Sequence, residues 1–88
     1  DNLAVRWGGE EFILYFPDAT IETVQPIMEN LRKRVEETVI ETANHKINVT
    51  ITVGVGIGRA GRKYQKVIHI ADEKLYYGKK HGRNKVVL

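Results

Sequence analysis

The chain has 88 residues and a net charge of +3; 42% of its residues are hydrophobic, 28% are charged and none is cysteine. This length allows one small domain, and the balance of apolar and charged residues is typical of a globular protein, not of a disordered one. The lack of cysteine excludes a disulfide framework and a thiolate metal site. The apolar runs are far shorter than the ~20 residues that cross a bilayer, so we expect no direct membrane contact.

The first predicted element is a β-hairpin. Residues 3–7 and 12–16 read as strands, and the segment Gly8-Gly9-Glu10-Glu11 joins them. The two glycines allow a sharp turn and let another molecule approach the backbone closely. Adjacent carboxylates repel each other, but they suit a divalent cation. The hairpin tip is therefore either a cation site or a pair of solvated glutamates.

A helix is predicted next from apolar residues at spacings of three and four. Thr23 is the expected N-cap, because that start places Pro26 in the first turn, where its missing N–H is not needed. A start at Ile21 would instead make Pro26 a kink. Residues 42–45 look like the exit from this helix. Its predicted inward stripe consists of Val24, Ile27, Met28, Leu31, Val35 and Val39.

The clearest strand signal runs from Ile47 to Ile57, where β-branched residues alternate with small or polar ones. Gly54 and Gly56 in this strand indicate close packing of a helix or a bend. A second helix follows and ends near Gly82, and residues 84–88 form a short last strand. The second helix is predicted to turn Val67, Ile68, Ala71, Leu75 and Tyr76 inward.

The predicted element order is β-β-α-β-α-β, in one domain over residues 1–88. A helix that joins two strands favours parallel pairing, whereas the opening hairpin is antiparallel. We therefore expect an α+β (α/β-like) fold with a mixed sheet packed by helices.

Basic residues occur in two clusters, one at positions 32–34 and one at positions 79–85. The first is interpreted as the solvated face of a helix. The second lies where the last helix ends. No exposed aromatic stripe accompanies either cluster, so we expect no nucleic-acid binding, although a basic interaction module remains an alternative.

Three segments together carry a family resemblance. Residues 6–12, RWGGEEF, resemble the signature of diguanylate cyclase GGDEF domains. Residues 48–55, NVTITVGV, resemble a later strand of that family, and residues 71–84, ADEKLYYGKKHGRN, resemble its closing helix. The segments occur in the family's order and spacing, and the resemblance extends over the whole chain.

The resemblance implies a bacterial signalling enzyme. Diguanylate cyclases condense two GTP molecules into the second messenger cyclic di-GMP and release two pyrophosphates. Two domains face each other as a homodimer, and each 3′-hydroxyl attacks the α-phosphate of the other nucleotide. The family fold resembles the palm-type, ferredoxin-like domain of nucleotide cyclases, of which this chain would be the C-terminal part.

The resemblance also implies roles for individual residues. Glu10 is expected to bind Mg²⁺ (or Mn²⁺), and Glu11 to lie beside the metal and the reacting hydroxyl as a second metal-binding and catalytic carboxylate. Gly8 and Gly9 would leave room for GTP. Two residues match the family's contacts to the terminal phosphates, Lys79 and Arg83.

Other family residues precede this segment. The family's further metal-binding aspartate and its guanine-reading residues lie on earlier elements, and the first residue here is Asp1. We therefore expect an excised partial domain that does not make cyclic di-GMP alone and that self-associates through exposed apolar surface. The complete protein is expected to be cytoplasmic, or the cytoplasmic part of a membrane-anchored protein, and to carry an upstream sensor or regulatory domain.

Two positions depart from the family's product-inhibition site. Asn2 occupies its aspartate position, and Asn30 stands where some members carry an arginine. Tight inhibition by cyclic di-GMP is therefore not expected. The alternative to an enzyme is a non-catalytic relative that binds GTP, cyclic di-GMP or a protein partner in signalling.

Overall fold

The computed structural model describes residues 3–8, 11–17, 19–59, 61 and 63–88. The elements in chain order are β1 (Leu3–Gly8), β2 (Glu11–Tyr15), α1 (Ile21–Glu37), β3 (Val39–Glu41), β4 (Lys46–Asn48), β5 (Val53–Gly54), α2 (Tyr64–Lys80) and β6 (Val86–Val87). The predicted combination of helices with strands is confirmed. Neither α1 nor α2 is long and apolar enough to cross a membrane.

The described strands pair two by two. β1 pairs with β2 and β3 with β4, both antiparallel, whereas β5 pairs with β6 in parallel. Both pairing senses that the sequence predicts are therefore present. The order differs from the prediction by one additional strand, β3, and by the division of one predicted strand into β4 and β5.

The first hairpin forms where the sequence predicts it. Its register places Val5 opposite Ile13, and after an irregularity in β1 it places Gly8 opposite Glu11. The irregularity leaves Trp7 as an extra residue on β1, and such a bulge increases the local twist of a hairpin. The predicted site residues Gly9 and Glu10 lie outside the described residues.

Helix α1 begins three residues earlier than the sequence predicts. Its N-cap is Thr20, whose side-chain oxygen accepts a hydrogen bond from the Thr23 amide at 3.3 Å. The prediction of Thr23 as the cap is therefore wrong, and Pro26 lies inside the helix. Because Pro26 has no N–H, the carbonyl of Glu22 lacks the usual hydrogen bond four residues along.

Helix α1 ends at Glu37, so Val39 lies in a strand instead of on the predicted helical stripe. Thr38 has extended backbone dihedrals, and its hydroxyl donates to the Arg34 carbonyl. β-Branched residues fit the pleat of a strand better than the crowded surface of a helix, which explains the change at Thr38. Residues 42–45 form the turn of the β3–β4 hairpin, in which Glu41 lies opposite Lys46.

The predicted strand over residues 47–57 is divided between β4 and β5. β5 pairs in parallel with β6, with Val53 opposite Val86, and hydrogen bonds extend the pair on both sides. The Val53 amide donates to the Lys85 carbonyl at 2.8 Å, and the Val55 amide to the Val87 carbonyl at 2.9 Å. The parallel pairing across a helix is therefore confirmed.

Helix α2 packs its backbone directly on β5. A Cβ at Gly54 would lie 2.2 Å from the Ala71 carbonyl oxygen and 2.3 Å from the Leu75 nitrogen. A Cβ at Gly56 would lie 2.3 Å from the Val67 carbonyl oxygen. The close packing predicted from these glycines is confirmed, because no side chain fits between the strand and the helix.

Little of the described part of the chain is fully buried. Met28 of α1 is 4% exposed, and Gly78 of α2 is also buried. The predicted inward set of α2 is half-buried except for Tyr76, which is 60% exposed, so that prediction is wrong. Further large side chains stay exposed on several elements, among them Phe12, Tyr15, Val39, Ile40, Ile47 and Tyr64.

We expect Gly54→Ala to lower the free energy of unfolding by at least about 2 kcal/mol, because the new methyl group would collide with backbone that no rotamer change can relieve. Gly58→Ala is the matched control, since its Cβ meets only a methyl group of Val67, at 2.8 Å. The control should lose roughly half as much or less. Denaturant unfolding measures both, and equal losses would contradict backbone contact at Gly54.

Candidate functional site

The C-terminal end of α2 is closed by a glycine turn. Gly82 has a φ of +106°, and the amides of His81 and Arg83 both donate to the Gly78 carbonyl, at 3.2 and 2.9 Å. This is a Schellman arrangement, in which a glycine beyond the last turn lets the chain reverse direction. The reversal leads the chain into β6.

The two residues after Gly82 are also left-handed. Arg83 has a φ of +58° and Asn84 a φ of +48°. Asparagine tolerates this conformation, whereas for arginine it costs roughly 1–2 kcal/mol. Such local strain persists only where the surrounding structure enforces it, and it is found often at functional sites.

Two of the predicted site segments meet in space. The Lys79 ammonium lies 3.3 Å from the Glu11 carboxylate, and their side chains are 25% and 37% exposed. Lys79 belongs to the last turn of α2, and Glu11 begins β2. The contact brings the GGEEF hairpin to the end of the closing helix.

A surface pocket of about 220 Å³ adjoins this ion pair. Glu11 and Lys79 form part of its wall. The remaining lining residues lie on α2: Asp72, Glu73, Leu75 and Tyr76. The sequence predicts no site at these four residues, although residues 72, 75, 76 and 79 share one helical face by their spacing of three and four.

Arg83 is exposed and does not line this pocket. Gly8 ends β1 directly opposite Glu11. Of the six predicted site residues, the described structure therefore brings together Gly8, Glu11 and Lys79. Arg83 lies three residues beyond the end of α2, and Gly9 and Glu10 lie outside the described residues.

A second polar group lies where α1 meets the start of β6. The Arg32 guanidinium donates to Glu29 at 2.5 and 2.8 Å and to the Asn84 side-chain oxygen at 2.9 Å. The Asn84 side-chain amide donates to Glu36 at 2.5 Å, and Glu36 also lies 3.4 Å from Arg32. We call Glu29, Arg32, Glu36 and Asn84 the Arg32–Asn84 network.

This network corrects the interpretation of residues 32–34 as a solvated helical face. Lys33 and Arg34 are exposed, but only 13% of the Arg32 side chain is. The signal in the sequence was the pair Glu29 and Glu36, three residues before and four residues after Arg32 on the same face. The long-range partner, Asn84, had no local signal.

The charges of the network shift its pKa values. A hydrogen bond from Arg32 lowers the pKa of the Glu29 carboxyl, the positive charges of Arg32 and Lys33 lower it further, and desolvation opposes the change. The hydrogen bond to Glu29 correspondingly raises the pKa of Arg32. Both groups therefore stay charged over a wider pH range.

The described residues supply few side chains that could bind a metal ion. Within the described ranges, no three His, Cys, Asp or Glu side chains form a group that could hold a metal ion. Glu11 supplies a half-exposed carboxylate, the type of hard oxygen donor that Mg²⁺ prefers. Mg²⁺ keeps several waters and needs only one or two carboxylates in addition to substrate phosphates, so Glu11 fits such an ion as one donor.

Comparison with known proteins identifies the family. Residues 1–85 match the family model described as diguanylate cyclase, GGDEF domain. The chain belongs to this GGDEF family. It is 40% identical over 88 residues to diguanylate cyclase A of Treponema denticola, and the match covers 99% of this chain and 24% of that protein.

Two solved GGDEF-family structures share the fold. The GGDEF domain of DgcB from Caulobacter crescentus, in complex with c-di-GMP, superposes with a TM-score of 0.91 at 30% identity. The diguanylate cyclase SiaD of Pseudomonas aeruginosa, in complex with its activator SiaC, superposes with a TM-score of 0.90 at 35% identity. Both matches cover 98% of this chain, but only 51% of the DgcB chain and 33% of the SiaD chain.

The family membership predicted from the three segments is confirmed, and so is the fold expected for the C-terminal part of a GGDEF domain. The chain spans about a quarter of the Treponema relative and one third to one half of the two solved chains. Within this GGDEF segment, the structure joins the signature hairpin to the closing helix through Glu11 and Lys79.

The lowered pKa of Glu29 predicts how stability changes in acid. A carboxyl whose pKa is lower in the folded state stabilises the fold above its unfolded-state pKa, near 4.5, and loses this contribution as the pH falls through the folded-state pKa. We therefore expect wild type to be more stable than Glu29→Gln at neutral pH, and the difference to shrink below pH 4.5.

Denaturant unfolding at a series of pH values measures this difference. Glu37→Gln is the control, because Glu37 is an exposed carboxylate on the same helix with no ion pair among the described residues. A stability difference for Glu29→Gln that stays constant from neutral pH to strong acid would contradict the assigned charge interaction.

Proposed function

We propose that this chain forms the metal- and triphosphate-facing wall of a diguanylate cyclase that condenses two GTP molecules into cyclic di-GMP. The observation that carries the proposal is the contact between Glu11 and Lys79, at 3.3 Å. It places a carboxylate of the signature beside a cation of the closing helix. A magnesium–triphosphate complex needs both: anionic oxygens for the metal and cations for the phosphates.

The cations at the end of α2 have a specific electrostatic task. The C-terminal end of a helix carries a partial negative charge, which repels a phosphate. Lys79 in the last turn offsets this charge and supplies a compact ammonium for phosphate oxygens. Arg83 adds an exposed guanidinium, whose planar fork suits two phosphate oxygens.

Glu10 and Glu11 are the residues that would hold Mg²⁺ or Mn²⁺. Such an ion offsets charge on the triphosphate and lowers the pKa of the attacking hydroxyl. Lys79 limits the repulsion between neighbouring carboxylates by pairing with Glu11. Gly8, opposite Glu11, adds no side chain beside the nucleotide.

The reaction requires two such domains. The 3′-oxygen of one GTP forms a bond to the α-phosphorus of the other, the bond from that phosphorus to the pyrophosphate oxygen breaks, and the hydroxyl proton passes to solvent water. Repeating the step in the opposite sense closes the ring. We propose a homodimer in which each domain brings one GTP, controlled by a regulatory domain or protein; SiaD, for comparison, was solved with an activator.

Substitutions in the protein with its complete natural chain test the site. We expect Glu10→Gln to lower kcat at least roughly 100-fold, because metal-held charge is worth several kcal/mol in the transition state. Lys79→Met should raise the KM for GTP about tenfold, since one charge-assisted contact is lost. Steady-state pyrophosphate release measures both.

Lys80→Met is the matched control, because it removes the same charge from the neighbouring residue, whose ammonium lies 4.7 Å from the centre of the Tyr76 ring. It should leave KM within about twofold of wild type. Full turnover by Glu10→Gln would remove the metal role. Equal effects of the two lysine variants would replace the specific phosphate contact with a general charge effect.

We expect the 88-residue chain by itself to make no cyclic di-GMP from GTP and Mg²⁺. The chain matches only half of the DgcB chain, and several of its large apolar side chains are exposed. Chromatography of the reaction mixture measures product, and light scattering on the same sample measures the expected self-association. Steady product formation, or a monodisperse monomer at high concentration, would contradict the respective expectation.

A further inference from the structure

The Arg32–Asn84 network lies outside the pocket at Glu11 and Lys79, yet it contains the residue next to Arg83. We infer that Arg32, Glu36 and Asn84 are positioning residues that hold the Arg83 backbone in its left-handed conformation and so present its guanidinium to the terminal phosphates. This inference rests on the phosphate role proposed above for Arg83. It assigns a function to residues that the family resemblance did not explain.

Asn84 is held from two directions. Its backbone amide donates to the Thr52 hydroxyl at 3.0 Å, just before β5. Its side-chain oxygen accepts from Arg32 at 2.9 Å, and its side-chain nitrogen donates to Glu36 at 2.5 Å, both on α1. Asn84 therefore connects the start of β6 to two elements that lie 32 to 52 residues away along the chain.

Arg83 is consequently fixed on both sides of its own Cα atom. On one side its amide donates to the Gly78 carbonyl at 2.9 Å, within the Schellman turn. On the other side follows the anchored Asn84. Left-handed φ angles at two successive non-glycine residues need such support, because each is unfavourable in isolation.

The exposed Arg83 side chain thus extends from a backbone that hydrogen bonds hold in place. A guanidinium on a fixed backbone loses less conformational entropy on binding phosphate than one on a mobile loop. Rigid placement also favours contacts with oxygens at one position of the nucleotide over others. We therefore expect the network to increase the preference for binding a triphosphate over a monophosphate, in addition to stabilising the fold.

The donor and acceptor atoms of the Asn84 side chain suggest a substitution that tests its hydrogen bonds selectively. Its oxygen faces a donor, Arg32, and its nitrogen faces an acceptor, Glu36. Asn84→Asp keeps the shape and the bond from Arg32 but sets two carboxylates against each other. Adding Glu36→Gln returns a donor to that contact, so the double variant should rescue the effect.

The experiment compares the binding of α,β-methylene GTP and of GMP, with Mg²⁺, by the protein with its complete natural chain. Arg83→Ala should reduce the preference for the triphosphate about tenfold. Asn84→Asp should reduce it roughly three- to tenfold, and the double variant should recover most of the loss. Glu37→Gln, an exposed residue of the same helix, should leave the preference unchanged.

Hydrogen exchange at the Arg83 amide gives a readout without nucleotide. Asn84→Asp should speed this exchange, because the amide's bond to Gly78 depends on the held turn, and the double variant should slow it again. One outcome would overturn only the positioning role of Asn84: Asn84→Asp changes neither the exchange rate nor the triphosphate preference, whereas Arg83→Ala lowers that preference. An unchanged preference in Arg83→Ala would overturn the phosphate role, and this inference with it.

Discussion

The absence of side chains on one face of β5 and of the residues that follow it is the constraint on which the rest of the structure depends. Because Gly54 and Gly56 carry no Cβ, the backbone of α2 lies directly on the strand. This contact fixes the axis of α2 and hence the place where its last turn ends. Gly82 then reverses the chain, so that β6 can pair in parallel with β5. That placement of the helix sets where Lys79 lies, and the hairpin β1–β2 brings Glu11 to it.

The site illustrates how charge and stability are balanced at the end of a helix. Lys79 and Lys80 both favour the negative C-terminal end of α2, so their positions have a structural reason independent of any ligand. A partly exposed ion pair such as Glu11–Lys79 adds roughly 1 kcal/mol or less to stability. Its larger consequence is geometric, since it holds a signature carboxylate close to a cation without burying either charge.

Local patterns in the sequence predicted those features that local chemistry determines. The GGEEF hairpin and the helix stop near Gly82 depend on residues that are neighbours along the chain, and the glycines at positions 54 and 56 themselves signal the close approach of α2. The features that the sequence did not predict depend on competition between two local structures or on contacts between residues far apart along the chain. Thr20 and Thr23 are both good N-caps, and the apolar stripe of α1 continues by spacing into Val39, where β-branching favours a strand. The link from Arg32 to Asn84 spans 52 residues, which no local pattern reveals.

Directional contacts, more than hydrophobic burial, specify the arrangement of the closing segment. Among the described large hydrophobic side chains only Met28 is buried, at 4% exposure, so apolar packing alone defines the relative placement of α1, α2 and β6 weakly. Hydrogen bonds weaken when their donors and acceptors are displaced. A satisfied polar network therefore specifies one geometry, even where its net contribution to stability is small. Asn84, which uses its amide N–H, its side-chain oxygen and its side-chain nitrogen together, joins α1 to the turn that follows α2. A change in the tilt of α1 would therefore reach Arg83 directly, since both are tied to this residue.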